Sequence, residues 1–214
     1  HKLDQLQQTR RNFMDNNSNR VRLCGRAAGE PALSHINHGE HFYRFPLSVE
    51  RLSGQEDLLP VNQYSRCGDK LQRVNAVVIH YVGNPNTTAR QNRSYFENLA
   101  TTGDTSASSN LIVGMEGEAL LCVPLDEVAY CSNDRNYDTV SIEFCHPDAE
   151  GKPNQATYDT LVKLTAWLCD LFRLDPQEDV IRHYDVIDKE CPLYFVQNKD
   201  EWTRFKSDVA KAMQ

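Results

Sequence analysis

The sequence predicts an α/β protein: a single mixed β-sheet flanked by helices, with a short β-rich extension ahead of it. Three observations carry this. From about residue 57 onward, apolar runs of strand length alternate with segments of helical period, in the order βαβββαβα over about 155 residues, which fits one mixed-sheet domain. The run Val74–Val82 is β-branched and almost continuously apolar, as expected of a central strand covered on both faces. Ahead of residue 57 the pattern changes to alternation at period two, separated by Gly-, Pro- and His-bearing stretches read as turns.

Residues 1–18 are polar, with Gln7-Gln8 and Arg10-Arg11, and read as a frayed or disordered leader. Residues 19–56 hold two alternating segments, Val21–Cys24 and Phe42–Val49. Leu59-Pro60 opens a Pro/Asn/Gly-bearing loop to Gly68, which marks the boundary of a domain spanning 57–214. After the central strand, Gly83-Asn84-Pro85-Asn86 makes a tight loop. Thr87 or Thr88 then caps a helix running through Leu99, with Tyr95, Phe96 and Leu99 on its apolar stripe. Leu111–Val113 and Ala119–Val123 flank Met115-Glu116-Gly117-Glu118 as a hairpin. Thr139–Cys145 is a further strand, and Tyr158–Phe172 carries apolar residues at helical period. Val180–His183 ends a strand, and 184–191 reads as a loop folding back. Glu201–Met213 is a terminal amphipathic helix.

Composition narrows the function. A net charge of −7 argues against a nucleic-acid or anionic-membrane binder, whose footprint is basic. No run approaches the roughly 18 apolar residues of a spanning helix. No basic and apolar leader opens the sequence, so no signal peptide is expected within it. The seven cysteines are odd in number and several lie inside apolar runs, as in Leu121-Cys122-Val123, so buried free thiols are expected rather than a disulfide framework.

The chemistry concentrates in His183–Pro192, where an imidazole and a thiol stand eight positions apart (191 − 183) with Lys189 two residues before the thiol. Pro192 disfavours a helix through Glu190-Cys191. One His and one Cys make half a zinc site; a catalytic zinc takes three protein ligands and leaves a fourth position open. His80, at the end of the apolar run Val77-Val78-Ile79, is the third candidate. Taken singly, each has an ordinary structural reading: a strand-end His, a loop Lys, a core thiol. Glu143 alone would be an outward-facing charge on an amphipathic strand, although a charge on a central strand needs a partner or a solvated cleft. Cys145-His146 is the rival ligand pair. Adjacent strand residues point to opposite faces, so both cannot reach one metal without a bend.

Several separated motifs together resemble the zinc-dependent N-acetylmuramoyl-L-alanine amidases, the type-2 amidases related to phage lysozyme-type amidases and peptidoglycan recognition proteins. They are Asn62-Gln63-Tyr64-Ser65-Arg66, Val78–Pro85, Ser141-Ile142-Glu143, and Arg182–Val186 followed by Lys189-x-Cys191-Pro192. The resemblance runs from about residue 58 to the C-terminus. It implies one zinc ion per chain, with His80, His183 and Cys191 as ligands, Glu143 as proton acceptor for the zinc water, and Lys189 against the developing oxyanion. The implied substrate is the muramoyl–L-alanine amide of peptidoglycan, with action on the bacterial cell wall, outside the cell or after lysis. Some relatives carry a catalytic Tyr before the second strand; here that region reads Ser108-Ser109-Asn110-Leu111, so no Tyr is assigned.

Two other classes compete. A non-hydrolytic peptidoglycan-binding module on the same fold would be marked by loss of a zinc ligand, and all three candidates are present. Residues 19–56 resemble the opening strands of an OB-fold single-stranded-DNA-binding protein, through Asn19–Gly25, Glu30-Pro31 and Gly39–Phe45. An OB barrel needs five strands, and the residues after 56 do not supply the missing ones. Stem-peptide preference and oligomeric state are not legible.

Overall fold

The computed structural model describes residues 26–27, 32–37, 39–44, 47–48 and 54–214. The chain divides into two units, His1–Arg51 and Leu52–Gln214. In the first, strand β1 (Arg26–Ala27) pairs antiparallel with β4 (Leu47–Ser48), and β2 (Ala32–Asn37) pairs antiparallel with β3 (Glu40–Arg44). The stretch 32–37, expected as part of a turn region, is therefore a strand. The polar leader and the expected strand Val21–Cys24 lie outside the described residues. Among the described residues these ladders are two separate two-stranded pieces.

The second unit is built on a six-stranded sheet of order β10-β6-β9-β7-β8-β5. Its strands are β5 (Gly54–Glu56), β6 (Ala76–Tyr81), β7 (Leu111–Val113), β8 (Ala119–Leu121), β9 (Thr139–Phe144) and β10 (Val180–Arg182). Strands β10, β6, β9 and β7 run parallel; β7 and β8 form the expected hairpin. Gly117 takes φ +82° in its turn, a conformation open to glycine without strain. The sequence reading did not foresee β5, which pairs in parallel with β8. It lies before the expected boundary at 57, so the sheet claims residues that the sequence reading gave to the extension.

Helices cover both faces, and the two-sided burial explains why the central strands read as apolar runs rather than alternating ones. Helix α1 (Ala89–Thr102) starts at Thr88, whose side chain and that of Gln91 form a reciprocal capping box, and ends at Gly103 in the left-handed region. Its Phe96 and Leu99 pack with Val82, Ile112 and Leu120 on one face. On the other, α2 (Gln155–Phe172) and α5 (Lys199–Ala212) bury Leu161, Leu168, Trp202 and Phe205 against Val77, Ile79, Ile142 and Phe144. The expected loop 184–191 contains one helical turn, α3 (Tyr184–Ile187), closed by Asp188 at φ +54°. A short α4 (Leu193–Gln197) begins directly after Pro192, where a proline costs no helical hydrogen bond. No helix among the described residues is long and apolar enough to cross a membrane.

Candidate active site

Sheet register assembles the site. In the parallel β6–β9 pair His80 stands directly opposite Glu143, and the pleat gives both side chains the same face. Their neighbours Ile79, Ile142 and Phe144 turn to the other face, into the larger core. β10 lies on the far side of β6 with Arg182 opposite Ile79, so His183 follows beside His80, and its N–H donates to the Ile79 carbonyl at 3.2 Å. The chain then makes the α3 turn and returns. The Tyr184 N–H donates to the Cys191 carbonyl at 2.8 Å, and Arg182 pairs with Asp185 beneath the loop.

These connections bring His80, His183 and Cys191 together from two strand ends and a loop. One potential ligand atom from each lies within 4.8 Å of the others, and all three residues are buried. Cys191 Sγ lies 3.7 Å from His80 Nδ1, and the two imidazole centroids are 4.6 Å apart. Burial, aided by the neighbouring His183 and Lys189 charges, holds His80 well below the usual histidine range. Burial and Lys189 likewise bring His183 down to about 4. Both imidazoles are therefore neutral at pH 7, with a lone pair available to a metal. Burial and the nearby Glu143 push the Cys191 thiol up to about 12, so binding a metal there must expel its proton. Two neutral imidazoles and one thiol fit zinc, a borderline-soft cation served by N and S donors.

Glu143 and Lys189 both line the same cleft, about 540 Å³ in volume, together with the three buried residues and Tyr95. Burial raises the Glu143 carboxyl to about 7, against the lowering effects of the Cys131 thiol and Lys189. That suits a group that must both take and return a proton near neutrality. Lys189 is exposed, at the outer edge of the returning loop.

The rival pair is excluded by its own contacts. His146 Nδ1 lies 2.6 Å from the Asp148 carbonyl and Nε2 2.5 Å from the Val82 carbonyl, so both ring nitrogens are engaged by backbone. Cys145 turns into the smaller core, where Asn92 Nδ2 donates to its sulfur at 3.7 Å.

Other motif residues prove to be scaffold. The Asn62 side-chain oxygen accepts the Tyr64 and Ser65 N–H groups, and Arg66 pairs with Glu127 at 2.7 Å. The Tyr64 carbonyl then accepts the Ala107 N–H, which fixes one wall of the cleft. Ser141 bonds to Ser109 and Asn110 and locks β9 to the strand beside it. Sequence reasoning missed Ser132 and Asn133. Ser132 Oγ lies 3.2 Å from His80 Nε2, and Asn133 Oδ1 lies 2.7 Å from His183 Nε2. Nothing in the sequence around 131–136 pointed to the histidines.

Comparison with known proteins identifies the family and the fold. The N-acetylmuramoyl-L-alanine amidase family profile matches residues 70–193, more than half of the chain and a range that includes the five candidate residues. The chain belongs to the N-acetylmuramoyl-L-alanine amidase family. It is 33% identical over 175 residues to the N-acetylmuramoyl-L-alanine amidase BlyA of Bacillus subtilis (strain 168), across 72% of this chain and 46% of that protein. It is 31% identical to CwlL of Bacillus licheniformis, with the same coverage. The chain thus spans about half the length of the curated relatives it matches. The fold is that of the PlyG catalytic domain, with TM-score 0.63 and 19% identity over 75% of this chain and 94% of that one. The XlyA catalytic domain is similar at TM-score 0.61 and 22% identity, over 73% and 98%. The α/β mixed-sheet expectation and the family resemblance are both borne out.

Proposed function

We propose that the chain is a zinc-dependent N-acetylmuramoyl-L-alanine amidase, which hydrolyses the amide between the lactyl group of N-acetylmuramic acid and L-alanine in peptidoglycan. The observation that carries this reading is the convergence of His80, His183 and Cys191 beside the elevated carboxyl of Glu143 in one cleft. His80, His183 and Cys191 hold the ion. A zinc bound there would polarise the scissile carbonyl and activate a water near pH 7. Glu143 accepts the proton that the attacking water gives up, and its neutral form returns that proton to the alanine nitrogen as the C–N bond breaks. Lys189, at the cleft edge, contributes positive charge to the tetrahedral oxyanion. The products are the glycan carboxylate and the free amine of the stem peptide. The bacterial cell wall is the place of action, and Leu52–Gln214 is the catalytic unit.

A binding module on the same fold would need neither the metal triad nor a half-buried carboxyl poised near neutrality, so hydrolysis is the better reading. The test is metal analysis joined to muropeptide digestion. The chain should hold about one zinc, and His80→Ala or Cys191→Ser should lose metal and activity together, since two ligands hold the ion poorly. Full activity in chelator-stripped protein would refute the zinc mechanism.

A further inference from the structure

We propose that Ser132 and Asn133 are positioning residues of the metal site: adjacent on one loop, they take the Nε2–H of His80 and of His183 and leave both Nδ1 atoms for the ion. The inference rests on the zinc reading above, and adds which ring nitrogen binds and what fixes it.

Chemistry assigns the protons. Asn133 Oδ1 has only lone pairs to offer, so the 2.7 Å contact requires His183 Nε2 to be the donor. A neutral imidazole carries one N–H, so Nδ1 is then its free acceptor. For His80, Nδ1 is the nitrogen beside Cys191 Sγ, at 3.7 Å, and Nε2 is the one at Ser132 Oγ. A hydroxyl accepts from Nε2–H as readily as it donates, so the same tautomer satisfies both neighbours. Metal-bound histidines generally donate their second nitrogen to such a partner, which orients the ring and raises its basicity. Here one dipeptide serves two candidate ligands, one at the end of β6 and one just after β10.

The loop is built to hold these two residues still. Asn136 Oδ1 accepts the N–H groups of Cys131 and Ser132, at 3.0 and 2.6 Å. Asn133 sits at φ +52°, a left-handed conformation that Asn tolerates better than most residues, and its carbonyl accepts the Asn136 N–H at 3.0 Å. Arg135 pairs bidentately with Asp138 at 2.7 and 2.9 Å, and its carbonyl accepts the Thr139 hydroxyl at 2.6 Å. Thr139 opens β9, the strand that carries Glu143. The loop therefore ties the orientation of both imidazoles to the strand that presents the proposed base.

The experiment uses the full chain and reads zinc affinity by competition with a chromophoric chelator, beside long-range ¹H–¹⁵N histidine spectra of the metal-free protein. Asn133→Gly removes the acceptor while suiting the left-handed backbone, and Ser132→Ala removes the other. Each should weaken zinc binding by about 10- to 100-fold, while the metal-free protein still unfolds cooperatively and loses no more stability than one hydrogen bond supplies. Asn133→Asp keeps an acceptor oxygen and should restore affinity. Wild-type spectra should show both rings protonated at Nε2. Wild-type affinity in both Asn133→Gly and Ser132→Ala, or rings protonated at Nδ1 in the wild type, would overturn the proposal while leaving the amidase reading intact. A wild-type chain that binds no zinc would sink both.

Discussion

Replacing Glu143 with Gln separates the two consequences of burying a carboxyl in the cleft. Gln keeps the size of the side chain and a carbonyl oxygen for the Cys131 thiol, 3.7 Å away, but it has no basic site to take a proton from water. General-base assistance is typically worth 10²- to 10⁴-fold, so the variant should keep its zinc and lose roughly that factor in kcat, about 3–5 kcal/mol of barrier. The same substitution should change stability in the opposite direction. The Glu143 pKa is raised from 4.5 to about 7, so the wild-type group contributes nothing adverse below about pH 4.5. As the pH rises from 4.5 to about 7 the unfolded chain gives up this proton while the folded one keeps it, so stability is lost across that window and levels off above it. The loss is at most about 3 kcal/mol by proton linkage. In metal-free protein, Glu143→Gln should therefore be more stable than wild type at pH 8 and level with it near pH 4.5, as measured by urea unfolding at both pH values. Muropeptide turnover at normal zinc content supplies the other half of the test. A variant with near-normal turnover and an unchanged pH–stability profile would mean that Glu143 is neither base nor strained acid, and the catalytic argument would fail with it.

Two further outcomes are expected. With His183 at about 4 and His80 shifted the same way by burial, the main proton that zinc binding must expel between pH 5 and 6 is that of the Cys191 thiol. Apparent zinc affinity should then rise by about tenfold per pH unit over that window; a slope near three decades per unit would show that the imidazoles are ordinary and protonated there. A fragment starting at residue 57 lacks β5, which pairs with β8 at the sheet edge, whereas one starting at Leu52 keeps it. The shorter fragment should be less stable by about 1–3 kcal/mol, at roughly 1 kcal/mol per hydrogen bond lost, and equal urea midpoints for the two would show the strand to be dispensable.

Much of the second unit was legible in its sequence because local chemistry determines it. The buried strand before His80, the Thr88 cap, the hairpin at Gly117 and the period of α2 are written in residues that lie close together in the chain. The ligand types were legible too, since two His and one Cys suit zinc wherever they meet. The sequence misled where a short segment takes its structure from a distant partner. Gly54–Glu56 has no strand-like pattern and is a strand only because β8 offers it an open edge. Tertiary structure alone decided which candidates meet. The parallel register puts His80 across from Glu143, and the parallel pairing of β10 with β6 sets His183 beside His80. His146 carries the same imidazole as the other two, yet backbone carbonyls occupy both of its nitrogens. The supports Ser132 and Asn133 lie 52 and 50 positions along the chain from the histidines they touch. No local pattern records such a contact, because a side-chain oxygen that fixes a tautomer does so through distance and direction, and the folded sheet supplies both.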